Sequence, residues 1–168
     1  KVVKVFFLSS NDRNDIADAV WGAANSEAIE TVLKTNAFNM QMEYLTDTDR
    51  ANAALYLFEQ KGNVKYTYKE ILEKISDALN LIINLNLCEW TDADAFFADN
   101  SSTLFNADCD YDRYSNLEDI PRHTLCGVIM DSAPFDTFEE FRGVFISQLN
   151  IAAPDTPDGG VQDNNGNN

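Results

Sequence analysis

Apolar and polar positions along the chain follow several different rhythms. Residues 2–8, VVKVFFL, form a nearly unbroken apolar run, the pattern of a strand buried on both faces. Behind it Ser9, Ser10, Asn11 and Asp12 supply helix-starting side chains, and Ile16, Ala19, Val20 and Ala23 then recur at helical spacing. Gly22 and Asn25-Ser26 divide that stretch into two helices; the second carries Ile29, Val32 and Leu33 and stops at Asn36. Strict alternation follows. Phe38, Met40, Met42 and Tyr44 share one side and Asn39, Gln41 and Glu43 the other, as in a strand with one wet face.

Residues 53–68 read as a hairpin turning at Gly62-Asn63, with Val64, Tyr66 and Tyr68 on one face; the competing pattern is a helix over 47–60 ended by Gly62. The aromatic and β-branched second arm favours the hairpin. A helix over 68–86 follows, opened by a Thr67–Glu70 capping box and carrying Ile71, Leu72, Ile75, Leu79, Ile82 and Ile83 in one stripe. From 91 to 122 the rhythm fades into Asp, Asn and Ser, with short strands expected at 95–98 and 103–106 and Pro121 closing the stretch. TLCGVIM, 124–130, reads as a second buried strand ending in a turn at Asp131-Ser132-Ala133-Pro134. A last helix is expected with Asp136 and Glu139 as its cap and Phe138, Phe141, Phe145 and Leu149 as its stripe. The predicted fold is therefore a single α+β domain over 1–151, with a mixed or antiparallel sheet and helices mainly on one face; α/β is the alternative. Residues 152–168, with one aliphatic side chain larger than Ala, are expected to form a flexible tail.

Composition adds mainly a charge. The 168 residues are 45% apolar and 11% aromatic, enough to pack a core without disulfides. Twenty-eight acids face 12 bases, for a net charge of −16, which repels bare nucleic acid and anionic membranes and draws divalent ions or basic protein surfaces. No apolar run approaches the ~18 residues of a spanning helix. Cys88, Cys109 and Cys126 form no C-x-x-C pair, which favours an intracellular or virion-interior setting over a secreted one. Asn100-Ser101-Ser102 matches a glycosylation sequon, a short pattern that carries weight only in a secreted chain. The chain opens on Lys1 instead of Met, as a processed protein or a segment of a longer one would.

The sharpest candidate chemistry is TLFNADCDYDRYSNLED, residues 103–119. Counted as a calcium loop from Asp108, it offers Asp110, Asp112, the Tyr114 carbonyl, Asn116 and Asp119 at the usual oxygen positions, but Arg113 where glycine is favoured. Taken alone, LFNADCD resembles the metal-and-diphosphate site of sugar-nucleotide transferases, where two carboxylates hold Mg²⁺ or Mn²⁺ against a phosphate. The plain alternative is a solvated row of carboxylates. His123, the one histidine, with Cys126 and Asp119 suggests a nucleophile–base set, but on a strand a separation of three puts His123 and Cys126 on opposite faces. Trp21 and Trp90 read as core side chains before interface anchors.

The expected function is a non-catalytic acidic binding or assembly module without a cofactor, meeting a protein partner that is basic by charge. Such a chain suits a virion or multiprotein-assembly subunit, or an inhibitor of a nucleic-acid-binding protein. The alternative is a divalent-metal-dependent enzyme, using Ca²⁺ or Mg²⁺/Mn²⁺, that acts on a phosphate-bearing substrate such as a sugar nucleotide through Asp108-x-Asp110.

Overall fold

A computed structural model describes residues 8–35, 38 and 42–153, and every regular element among them is helical. In chain order they are α1 (Ser10–Gly22), α2 (Ser26–Leu33), α3 (Asp47–Glu59), α4 (Tyr68–Leu87), α5 (Ala93–Asp99), α6 (Ser101–Leu104), α7 (Tyr111–Ser115), α8 (Asp119–Met130) and α9 (Phe138–Ala152). A 3-10 turn at Ala107–Cys109 links α6 to α7. The α+β fold, and the α/β alternative with it, is thus corrected to a helical one.

Each expected strand that falls on described residues fails for a physical reason. The run 124–130 lies in α8, where Leu125, Cys126, Ile129 and Met130 are buried on one helical face; a short apolar run cannot separate strand from helix by period alone. In place of the hairpin, α3 continues to Glu59, Val64 is exposed, and the Tyr66 hydroxyl donates to the Gln60 carbonyl across the loop. Residues 95–98 sit in α5, and 103–104 end α6. Of the alternating segment, Phe38 is helical and buried, the Met42 N–H donates to its carbonyl at 3.2 Å, and Glu43-Tyr44 form a turn. The run 2–7, the stop at Asn36 and the tail from 154 lie outside the described residues.

Local chemistry explains where the helices begin. Ser9, Thr46 and Thr67 form capping boxes with Asp12, Asp49 and Glu70, satisfying backbone N–H groups that a first turn leaves without partners. Hydrogen bonds from the Thr67 backbone N–H and hydroxyl hold the Glu70 carboxyl below its ordinary range. Thr137 caps α9 by accepting the Glu140 N–H at 3.1 Å, one position later than the sequence suggests. Pro121 occupies the third position of α8, where no intrahelical bond is lost.

Among the described residues, buried side chains form two clusters. One joins α1, α2 and α3 to the first half of α4 through Ile16, Val20, Ile29, Leu33, Leu57 and Ile75. The other joins the rest of α4 to α5–α9 through Leu81, Leu85, Ile129, Phe141 and Phe145. Helix α4, with 20 residues, is about 30 Å long and lines both. Phe97 of α5 sits amid Phe141, Phe105, Tyr114 and Phe145, with ring centroids 5.5, 5.7, 6.0 and 6.2 Å away.

Two carboxamides and one guanidinium fix α9. Asn86 of α4 donates to the Phe135 carbonyl at 2.9 Å and accepts the Phe135 N–H at 2.8 Å. Asn52 of α3 donates to the Asp136 carbonyl at 2.8 Å and accepts the Phe138 N–H at 3.1 Å. Arg142, only 4% exposed, forks onto Glu59 at 2.7 and 2.6 Å and donates to the Leu104 carbonyl at 2.9 Å, tying together the ends of α3 and α6.

Two substitutions test this packing in opposite directions. Asn86→Ala leaves both Phe135 backbone groups without partners and should cost about 2 kcal/mol in urea denaturation. Gly143 is exposed in α9, and a Cβ there meets nothing within 4 Å, so Gly143→Ala should stabilise by about 1 kcal/mol and raise Tm.

Candidate functional site

The carboxylate-rich segment 103–119 folds as turns and short helices. Asn106 caps the 3-10 turn by accepting the Asp108 N–H at 3.2 Å. Asp110 adopts a left-handed conformation with φ of 49°, which Asp tolerates better than most residues, and caps α7 by accepting the Arg113 N–H at 3.2 Å. Asp112 lies in the first turn of α7, and the Asn116 amide donates to its carbonyl at 2.8 Å. Asp119 opens α8 and accepts from Arg122 at 2.9 Å. Among the described residues no three His, Cys, Asp or Glu side chains gather in a set able to hold a metal ion.

Behind this segment lies a partly buried polar network. The Tyr114 hydroxyl donates to Asp94 at 2.9 Å and sits 2.9 Å from the Cys126 sulfur. Arg122 donates from Nε to the other Asp94 oxygen at 2.9 Å and from Nη1 to the Ser115 and Leu117 carbonyls at 3.3 and 3.2 Å, closing the end of α7. Burial pushes the Tyr114 phenol far up, with the Cys126 and Asp94 contacts adding to it. Burial also raises the Cys126 thiol, although its Tyr114 contact opposes the shift. Cys126 therefore points inward as a thiol, while His123 is exposed with Nδ1 2.9 Å from the Asp119 carbonyl. The two occupy different faces of α8 and form no nucleophile–base pair.

That network fastens one face of α8 and leaves the other bare. Ile120, His123, Thr124, Gly127 and Asp131 follow one another at helical spacing on the bare side and line an open groove of about 580 Å³. Trp90, from the loop before α5, forms the opposite wall. Ile120 is 82% exposed and Trp90 51% exposed, so Trp90 belongs to the surface and not to the core. Gly127 puts no side chain into the groove, and a Cβ built there meets nothing within 4 Å. Asp94, four residues beyond Trp90, bonds to Arg122 beneath, so one ion pair joins the two walls. A second hollow, of about 310 Å³, lies over Met42, Tyr44, Leu72 and Leu79.

The sequence singled out Trp90, His123 and Asp119 but missed Ile120, Thr124, Gly127 and Asp131. The signal was present: Ile120 and Val128 are apolar, yet they fall outside the stripe of Leu125, Cys126, Ile129 and Met130. An apolar residue off the buried stripe marks a face that something can cover. Trp21, by contrast, is half-buried with the Lys61 ammonium 5.6 Å from its ring centre. Among the described residues no helix is long and apolar enough to cross a membrane.

The buried thiols and phenol give the fold a pH dependence. Cys109 and Cys126 are both raised chiefly by burial, so their contribution is complete below the unfolded thiol value of about 8.5 and is lost as pH rises through the folded value. Urea midpoints should hold steady from about pH 7 to 8 and fall above about pH 9. In native protein a thiol reagent should label half-buried Cys88 well before Cys109 and Cys126, which react on unfolding; equal labelling rates would contradict the burial described.

No family model, curated protein or solved structure matches this chain.

Proposed function

We propose that the protein is a non-catalytic binding module that docks a polypeptide partner in the groove between Trp90 and the outer face of α8. The observation that carries this reading is the exposure of Ile120 and Trp90 on the two walls of one open groove. Soluble proteins seldom present contiguous apolar surface without a use for it, and covering these two side chains is worth about 3 kcal/mol. The groove is open to solvent, whereas small-molecule sites enclose most of their ligand. A helical or extended segment laid against α8 suits that shape. The inward thiol of Cys126 and the outward ring of His123 favour binding over covalent chemistry.

Selection of displayed random peptides on the wild-type protein tests the reading. Enriched peptides should bind Trp90→Ala and Ile120→Ser at least about tenfold more weakly, with Tm almost unchanged because both side chains are largely exposed. Failure of any peptide to enrich, or equal binding to wild type and both variants, would contradict it.

A further inference from the structure

We infer that the groove selects a cationic segment: one large apolar side chain seated over Gly127, with a Lys or Arg about one helical turn away meeting Asp131. This rests on the groove being a docking site for polypeptide and names the partner it takes. Gly127 is the only lining position on α8 without a side chain, so the space above it is where an incoming side chain meets least obstruction. Asp131 stands four residues on, about 6 Å along the axis.

Charge fixes the polarity of the site. Asp131 is the C-cap of α8, so its carboxylate adds to the negative end of the helix dipole. No Lys or Arg occupies the last turn of α8 to neutralise that end. Asp119, at the opposite end, lies at the positive end of the dipole and already accepts from Arg122. A cation is therefore attracted most strongly at the Asp131 end, and the net charge of −16 favours its approach. Arg122 points beneath α8 to Asp94, so its guanidinium does not line the groove.

Three synthetic helical peptides test the inference by fluorescence anisotropy at low salt. The first carries Phe with Lys four positions on, the second replaces that Lys with Glu, and the third keeps Lys and replaces Phe with Ala. The first should bind about tenfold tighter than either of the others. Asp131→Asn should erase the preference for Lys over Glu while leaving Tm unchanged, because Asn is a good residue for a helix end. Gly127→Leu should abolish binding of the first peptide without loss of Tm, because the added side chain fills the groove and favours helix. Equal binding of the Lys and Glu peptides, each lost in Gly127→Leu, would overturn the cationic inference and leave groove docking standing. Binding that survives Gly127→Leu, or no binding of the first peptide at millimolar concentration, would overturn both. A Lys preference that persists in Asp131→Asn would assign the selectivity to the overall field and not to this residue, and so would overturn the inference as well.

Discussion

Everything distinctive about the α8 surface depends on the carboxylate of Asp94. One of its oxygens receives the buried Tyr114 hydroxyl and the other receives Arg122, so a single side chain on α5 holds α7 and α8 together. A fully exposed ion pair contributes little to stability. This one is more than a pair, because Arg122 also satisfies the terminal carbonyls of α7, and the phenol it helps position is fully buried. Fixing the inner face of α8 determines its rotation. Rotation in turn decides that Ile120, Thr124 and Gly127 face outward beside Trp90. The groove is a consequence of satisfying buried polar groups underneath it.

The acidity has a partly structural origin. Asp12, Asp49, Glu70, Asp112, Asp119, Glu139 and Glu140 all lie in first turns of helices, where they offset unpaired N–H groups and the positive dipole end. A chain broken into many short helices has many such positions. Helices α1–α6, α8 and α9 carry no Lys or Arg in their last turns. Starts are neutralised and ends are not, so the negative surplus does not cancel locally. A role for the charge in attracting partners is thus compatible with its role in helix formation.

What could be read from the sequence follows the strength of the helical signal. The capping box at Thr67–Glu70 and the Phe138–Leu149 stripe identified α4 and α9 because several independent cues agreed there. The break between α1 and α2 was visible at Gly22 and Asn25. The segment 91–122 was opaque for a different reason. Its elements are helices of seven residues or fewer, such as α5, α6 and α7, too short to establish a period. They hold together through Phe97, Phe105 and Tyr114, whose rings pack on Phe141 and Phe145 of α9, contacts that join distant parts of the chain and leave no local trace. The same limit hid the groove, since α8 read as a strand conceals the fact that Ile120, Gly127 and Asp131 align. The aspartates at 108, 110 and 112 drew attention because they alternate, yet Asp110 spends its side chain capping α7 and all three are exposed.

The central claim is that α8 has a fastened inner face and an outer face free for docking. Nuclear magnetic resonance with selectively labelled Ile methyls and Trp indoles, titrated with a peptide selected on the protein, tests it most directly. The account predicts shifts at the Ile120 methyl and Trp90 Nε1–H, with the inward Ile129 methyl and Trp21 unmoved. Shifts concentrated instead at Ile75, beneath the hollow of Met42 and Leu72, would contradict it.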